Sequence, residues 1–91
     1  MLRITIKTEG EKTRVLYLEG KIIRDYLGEL QTEIERGLRR KDNVVLDLAR
    51  VSFLDEEGAR MIRSFSEGAL SLRNCSLYIQ AALDAHGKED T

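Results

Sequence analysis

Three consecutive carboxylates stand directly before a glycine in the middle part of the chain. Asp55, Glu56 and Glu57 precede Gly58, and the apolar run Val44–Leu48 lies shortly before them. Acidic side chains stabilise the first turn of a helix, where backbone N–H groups without partners carry positive partial charge. Open α/β sheets usually bind ligands or partners where a parallel strand ends and a helix begins. The sequence therefore predicts a working surface that begins at Asp55, Glu56 and Glu57.

Catalytic chemistry has little support in the sequence. Ser52, Ser64 and Ser66 lack the histidine or lysine arrangement that activates a hydroxyl as a nucleophile. A glycine-rich phosphate-binding loop is also absent from the sequence. We therefore predict a protein that is not an enzyme, with no catalytic residues and no cofactor.

Metal binding is also weakly indicated. Asp47 and Asp55 could together hold a cation at the end of a sheet, but two carboxylates at this separation occur commonly by chance. Cys75 is the only cysteine and His86 the only histidine, so neither an internal disulfide nor a zinc site is expected. We predict no metal site and expect Cys75 to be a small buried apolar residue.

The composition limits the class of protein. The chain has 91 residues, of which 42% are hydrophobic and 34% charged, enough for one modest core. Fifteen basic and sixteen acidic residues give a net charge of -1, which provides no general attraction for nucleic acid or anionic lipid. The first residues alternate between apolar and polar, so we expect neither a signal peptide nor membrane insertion. A single cysteine suits a reducing compartment, and we predict a cytoplasmic protein.

Hydrophobic periodicity predicts the elements that position the carboxylates. Leu2, Ile4 and Ile6 repeat every second residue, as in a strand with one buried face, and later segments show helical spacing. Asp25 is the expected N-cap of the first helix, and Asn74 is the expected residue at the end of the second. The predicted elements are strands at residues 2–7, 14–19, 44–48 and 75–81 and helices at residues 26–40 and 56–73.

This order of elements predicts an α/β fold with a singly wound mixed sheet, β-β-α-β-α-β, and both helices on one face. Strands covered on both faces would be continuously apolar, whereas these strands alternate. The other face would then show Val15, Tyr17, Val45 and Tyr78 among polar groups. These are either scattered surface residues or a surface for self-association or a partner. We expect one domain over residues 1–81 and a short polar tail over residues 82–91.

The segment VVLDLARVSFLDEEGARMI resembles the STAS domain, the fold of bacterial anti-sigma factor antagonists. The resemblance extends from Ile4 to about Ala81. It includes the strand, Glu-Gly turn and helix between Leu16 and Leu38, the strand VVLDL, and Gly58 in the first turn of the second helix. The family has a singly wound sheet, which agrees with the alternation of the strands.

The resemblance implies a regulator that binds a protein through the loop before the second helix and the exposed face of that helix. The predicted partner-binding residues are Asp55, Glu56, Glu57, Gly58, Arg60, Met61 and Ser64. In sporulation and stress-response members, the antagonist binds an anti-sigma factor that is also a serine kinase, and phosphorylation of one serine in an Asp-Ser-Ser-Gly motif ends that binding. Asp55, Glu56, Glu57 and Gly58 occupy the four positions of the motif, so Glu57 stands where the phosphoacceptor serine would be. A second acidic position of the family corresponds to Ile23. Switching by a serine kinase at this site is therefore expected to be absent.

Glu57 has two interpretations. A glutamate has about one negative charge and two acceptor oxygens, whereas a phosphoserine has about 1.5 to 2 charges and three, so Glu57 would be an incomplete mimic of the modified form. Alternatively, Glu56 and Glu57 are an ordinary acidic first turn, with Asp55 as the N-cap.

The resemblance also leaves two classes of partner open. The first is an anti-sigma factor or a related regulator. The second is a transporter or lipid-trafficking complex, in which STAS-like proteins act as accessory subunits. A function in binding small molecules or nucleotides ranks last, because the residues for it are missing.

The end of the chain predicts self-association. STAS domains usually continue after the fourth strand into another helix, whereas residues 82–91 offer one or two turns at most. A missing helix would leave an open edge, which is commonly shielded by charge or by a neighbour, and we expect a homodimer or a larger assembly.

Overall fold

The computed structural model describes residues 1–65, 68 and 70–87. Its elements are β1 (Leu2–Glu9), β2 (Thr13–Ile22), a 3-10 turn (Arg24–Tyr26), α1 (Leu27–Arg39), β3 (Asn43–Leu54), α2 (Glu56–Phe65), β4 (Leu70–Arg73) and α3 (Leu77–Gly87). The predicted order β-β-α-β-α-β is therefore present, and a third helix follows it. None of the helices in the described part of the chain combines the length and the apolar character that crossing a membrane requires.

The strands form one mixed sheet in the order β1-β2-β3-β4. β1 and β2 are an antiparallel hairpin, whereas β3 pairs parallel to both β2 and β4. Gly10 in the hairpin turn has a φ of 74°, a conformation that glycine adopts without strain. The two parallel connections pass through α1 and α2 because parallel neighbours need a crossover. The predicted α/β fold class is confirmed.

All helices pack against one face of the sheet, hereafter the helix face. Leu16 and Leu18 of β2 alternate with outward residues, as do Val44, Leu46 and Leu48 of β3, and all of them are buried. One core cluster joins them to the buried side chains of the three helices, which are Leu30, Ile34, Ala59, Ile62, Ile79 and Leu83. The prediction that the helices lie on one face is confirmed, because period-2 strands supply a single apolar surface.

The opposite face, hereafter the open face, differs from its prediction. Val15 is completely buried and Val45 is only 9% exposed, although no helix covers them. Val15 lies beside Lys7 of β1 and Val45 of β3 in the register, and Val45 also lies beside Ser71 of β4. Lys7 also places its ammonium 5.9 Å from the ring centre of Tyr17. The prediction that these valines are surface residues is wrong. The apolar stem of a long neighbouring side chain, such as that of Lys7, covers apolar surface.

An ion pair spans the open face. Both guanidinium Nη atoms of Arg73 donate to the carboxylate of Glu9 at 3.2 Å. These residues belong to β4 and β1, the two outer strands, so the pair lies across β2 and β3. The hydrogen bond from Arg73 lowers the pKa of Glu9, and the same contact raises the pKa of Arg73.

The second half of the chain requires the largest correction. The helix predicted at residues 56–73 ends at Phe65, and β4 occupies Leu70–Arg73; residues 66, 67 and 69 lie outside the described residues. Leu70 and Leu72 lie beside Val44 and Leu46 of β3 in the sheet. Leu72 follows Ile62 and Phe65 at helical spacing, whereas its alternation with Leu70 fits a strand. The helical spacing led to the error.

The strand predicted at residues 75–81 is also wrong, because this segment starts α3. Ser76 Oγ accepts a hydrogen bond from Ile79 N–H at 3.1 Å, which is the contact of a helix N-cap. Cys75, Leu77 and Ile79 alternate with polar residues only by coincidence, since α3 is apolar on most of its surface. Tyr78 consequently lies on a helix and not on the open face.

The C-terminal helix that seemed to be missing is therefore present. α3 continues past residue 81 to Gly87, and Ile79 and Leu83 are fully buried in the core. The self-association argument that depended on a missing helix is wrong. Residues 88–91 of the predicted polar tail lie outside the described residues.

Two predicted helix ends also differ. The N-cap of α1 is Tyr26, without a side-chain hydrogen bond, and Asp25 lies in the preceding 3-10 turn. Asn74 follows β4 instead of a helix, with a φ of 57° that asparagine tolerates better than most residues. Its side chain donates to Asp47, and this contact supports the left-handed conformation.

Candidate functional site

Asp55 joins the beginning of α2 to the end of the neighbouring strand. Its Oδ1 accepts a hydrogen bond from Gly58 N–H at 2.7 Å, and its Oδ2 accepts one from Arg24 N–H at 2.9 Å. Its own N–H donates to the carbonyl of Ile22 at 3.1 Å. Asp55 is therefore the N-cap of α2 and also holds the turn that follows β2.

Gly58 allows α2 to approach the sheet closely. A Cβ atom at this position would lie 2.7 Å from the carbonyl oxygen of Ile22 and 3.0 Å from Leu54 Cδ1. Backbone cannot move aside as the end of a side chain can, so a larger residue would push the helix away. Asp55 and Gly58 together determine where the first turn of α2 lies.

The two glutamates between them face solvent. Glu56 forms an ion pair with Arg60 one turn later, and about half of each side chain is exposed. Glu57 is exposed, and it forms neither a hydrogen bond nor an ion pair with any other residue that the structure describes. The carboxylate of Glu57 is therefore available at the N-terminus of α2.

The rest of the predicted site lies along α2 with mixed exposure. Arg60 and Ser64 are exposed, whereas Met61 is partly buried against the core. Ser64 Oγ donates to the carbonyl of Met61 at 2.7 Å, so its hydroxyl is engaged with the helix backbone. The structure thus places all the predicted residues in α2 or at its N-cap. Asp55, Gly58 and Met61 hold the helix against the rest of the fold, whereas the other predicted residues face solvent.

Two exposed aromatic residues beside this site were not predicted as part of it. Phe53 is 41% exposed near the end of β3, and Tyr26 is 38% exposed at the end of the 3-10 turn. That turn contacts Asp55 through Arg24. Their sequence positions give no signal of exposure, because Tyr26 fits the apolar stripe of α1 and Phe53 fits a strand.

Asp47 and Asp55 are not arranged as a cation site. Asp47 is 6% exposed and accepts hydrogen bonds from Ala49 N–H at 3.0 Å and from Asn74 Nδ2 at 2.9 Å. The first of these contacts lies where the register of β2 and β3 shifts, so it satisfies an N–H group beside a bulge. Each carboxylate thus binds separate N–H donors. Among the described residues, no group of three or more metal-binding side chains occurs.

Cys75 lies between β4 and α3 and is partly buried. Burial raises the pKa of its thiol, and the nearby charge of Asp84 raises it further. A thiol that stays protonated is a poor nucleophile, which agrees with a structural residue.

Comparison with known proteins identifies the family and the fold. The family model described as STAS domain matches residues 4–86. The structure resembles that of the anti-sigma factor antagonist SpoIIAA in its unphosphorylated form, with a TM-score of 0.71 and 14% identity over 98% of this chain and 89% of that chain. It also matches the STAS domain of an antisigma-factor antagonist from Rhodobacter sphaeroides, with a TM-score of 0.46 and 15% identity over 80% of this chain and 86% of that chain. No curated protein matches the chain.

Proposed function

The chain belongs to the STAS domain family, and we propose that it is a cytoplasmic, non-enzymatic regulator that binds a protein through the start of α2. The proposed partner is an anti-sigma factor or a related regulator. The shared fold with an anti-sigma factor antagonist supports this class of partner. The net charge of -1 argues against nucleic acid as an alternative.

The observation that carries the proposal is the contrast within the four residues from Asp55 to Gly58. Asp55 and Gly58 fix the first turn of α2 to the ends of β2 and β3. Glu57, between them, has an exposed carboxylate without a partner among the described residues. A rigid turn that presents a free charge is suited to recognition, because little conformational entropy is lost on binding.

Glu57 makes this binding independent of a serine kinase. In this proposal, Glu57 corresponds to the phosphoacceptor serine of the family's antagonists. Glutamate offers no hydroxyl for phosphate, and its permanent charge gives the site one electrostatic state. We propose that the protein is a constitutive binder of its partner. Failure of the wild-type chain to capture any regulator would instead identify a permanently off-state relative of the switchable antagonists.

Affinity capture from the native host tests the proposed surface. The wild-type chain and the Glu29→Lys variant should recover the same regulator, whereas Glu57→Lys should lose it. Glu29 is the matched control, because it is also an exposed acidic residue in the first turn of a helix. Both substitutions should lower the stability of their helix by a similar amount, about 0.3–1 kcal/mol, because each puts a positive charge at the positive end of the helix dipole.

Equal capture by the two variants would show that the surface is assigned wrongly. Recovery of a membrane ATPase instead of a regulator would replace the proposal with the transporter-subunit alternative.

A Glu57→Ser variant tests the missing switch directly. If the captured partner is a serine kinase, incubation with ATP should add phosphate at position 57 of this variant and leave the wild-type chain unmodified. Intact-mass spectrometry followed by peptide mapping measures both. Stoichiometric phosphate on the wild-type chain, coupled to release of the partner, would contradict the proposal.

A further inference from the structure

β1 is an outer strand whose free side is unusually suited to pairing. It pairs with β2 over eight residues in an unbroken register, and no described residue pairs with its other side. Proteins usually protect such an edge with a proline, a bulge, a very short strand or charged side chains. β1 has no proline or bulge and is eight residues long, whereas β4 at the opposite edge has only four residues. β1 does have charged side chains, but they are of both signs, so a second strand can meet them with opposite charges.

Two hydrogen bonds show which backbone groups of β1 face outward. Asn43 N–H donates to the carbonyl of Lys12, the residue before β2. The N–H and carbonyl groups of successive residues point to alternate sides of a strand. In β2, the backbone groups of even-numbered residues therefore point towards β3, and those of odd-numbered residues point towards β1. Lys21 N–H donates to the carbonyl of Met1, which agrees with this parity. The register pairs Arg3, Thr5, Lys7 and Glu9 with odd-numbered residues of β2, so the backbone N–H and carbonyl groups of these four residues point towards β2. The N–H and carbonyl groups of Leu2, Ile4, Ile6 and Thr8 consequently face solvent at the edge.

An apolar side chain lies at the middle of this edge. Ile6 is 37% exposed, although it lies on the helix face of the sheet. Leu2 and Ile4, on the same face, are only partly buried. The edge therefore combines unpaired backbone groups with apolar surface that a second strand would cover.

We propose that two copies of this chain pair through antiparallel β1 strands, with Ile6 opposite Ile6 of the second copy. The hydrogen-bonded pairs must then be Ile6 with Ile6 and Ile4 with Thr8. The two Ile6 side chains cover each other, and the helices of both copies lie on the same side of a continuous sheet. The site at α2 is not used, so this dimer is independent of the proposed function.

Charge selects this register from its neighbours. With Ile6 at the axis, Arg3 lies opposite Glu9 of the second copy, and this pair occurs twice. Glu9 already accepts hydrogen bonds from Arg73 of its own copy, so Arg3 would add a second cation beside the same carboxylate. A shift that places Thr5 at the axis would set Arg3 against Lys7, and a shift that places Lys7 there would set two lysines together. Directly opposed like charges destabilise a sheet, whereas opposite charges stabilise it. Arg3 is exposed and forms no ion pair within the described residues, so it is available to the second copy.

Sedimentation equilibrium over a dilution series tests the dimer, and amide hydrogen exchange identifies its edge. The wild-type chain should reach the dimer mass as concentration rises. Over the same range, the amides of Ile4, Ile6 and Thr8 should become protected, whereas those of Thr5 and Lys7 should be protected at every concentration. A monomer at the highest soluble concentration would overturn the proposal, as would a dimer without these protected amides.

Charge reversal tests the register. Arg3→Glu should raise the dimer Kd about tenfold or more, because like charges replace opposite charges twice. Lys7→Glu is the matched control, with the same charge change on the same strand and face, and should leave the Kd unchanged or lower it. Equal weakening by both substitutions would exclude the proposed register.

A proline tests the backbone contact. Ile6→Pro removes an outward N–H group that β2 does not use, and edge positions of this kind tolerate proline. The variant should keep the wild-type circular dichroism spectrum and sediment as a monomer. A folded Ile6→Pro variant that still dimerises would place the interface elsewhere. If the variant does not fold, the comparison of Arg3→Glu with Lys7→Glu decides the question.

Discussion

Helices α2 and α3 begin with the same kind of hydrogen bond, but only one of these bonds belongs to a larger network. Asp55 Oδ1 accepts from Gly58 N–H at 2.7 Å, and Ser76 Oγ accepts from Ile79 N–H at 3.1 Å. Asp55 additionally holds Arg24 N–H of the turn after β2, whereas no second hydrogen bond of the Ser76 side chain occurs among the described residues. The N-cap of α2 therefore also contacts a distant segment of the chain, whereas the N-cap of α3 contacts only its own helix.

The difference shows how a site can be held in place. Gly58, in the first turn of α2, lies against the ends of β2 and β3, so this turn has a fixed position. Leu77, in the first turn of α3, is 90% exposed, and α3 is held by its later residues Ile79 and Leu83 instead. The start of α2 is thus anchored at the N-cap itself, and the start of α3 is anchored only through its core side chains.

The largest expected effect concerns the anchoring of α3 by its core residues. Leu83→Ala should lower the free energy of unfolding by about 2–5 kcal/mol, because Leu83 is fully buried and a cavity would remain. Leu77→Ala is the control and should change stability by no more than about 0.5 kcal/mol. Urea unfolding followed by circular dichroism measures both. Equal effects would show that α3 is not docked on the core.

The next prediction concerns the close approach of α2 to the sheet. Gly58→Ala should destabilise the fold by about 1–3 kcal/mol, because its Cβ would meet the carbonyl oxygen of Ile22. Gly28→Ala is the control in α1, where a Cβ meets nothing within 4 Å. That substitution should stabilise the helix by up to about 1 kcal/mol. If Gly58→Ala left the free energy of unfolding unchanged, the close approach to the Ile22 carbonyl would not explain the glycine at this position.

The two caps can be compared directly. Asp55→Ala should cost about 2 kcal/mol, because the N-cap and the contact with Arg24 N–H are both lost. Ser76→Ala should cost about 1 kcal/mol, because only a local cap is lost. If the two losses in urea unfolding were equal, the contact with Arg24 would contribute nothing to stability.

The smallest expected effect is a change in thiol reactivity at the start of α3. Burial raises the pKa of Cys75, so less thiolate is present at a given pH than in an unfolded chain. A disulfide reagent at mildly alkaline pH should therefore react more slowly with the folded protein than with the protein in urea. Ser76→Ala should increase the folded rate by loosening the adjacent turn, whereas Ser64→Ala on α2 should not. Identical rates for folded and unfolded protein would contradict the stated burial.

The elements with clear periodicity are predictable from the sequence. Residues 26–40 were predicted to form a helix, and α1 covers Leu27–Arg39, because a polar face and an apolar face alternate clearly there. The start of α2 at Glu56 was equally visible from the acidic first turn. β3 was predicted too short, because Asp47 and the polar residues after it do not look like a strand. It continues through register shifts that only the pairing with β2 reveals.

The β4–α3 region was not predictable in the same way. Leu72 continues the helical spacing of Ile62 and Phe65 and also alternates with Leu70 as in a strand. The segment from Cys75 to Ile79 fits a strand as well as a helix. Ambiguity of this kind is expected for short apolar segments without a polar face. Val15 was misjudged because its burial depends on Lys7 and Tyr17, which come from other positions of the sheet.

Sequence alone therefore determined the fold class, the STAS relationship and the chemistry of the first turn of α2, since each depends on residue types at close spacing. Tertiary structure decided which of those residues are exposed. It fixed Asp55 and Gly58 against the end of β2 and left Glu57 facing solvent. It also decided that the longer of the two outer strands of the sheet is β1, with eight residues against four in β4. Burial and strand order depend on contacts between distant segments, and local patterns do not record those contacts.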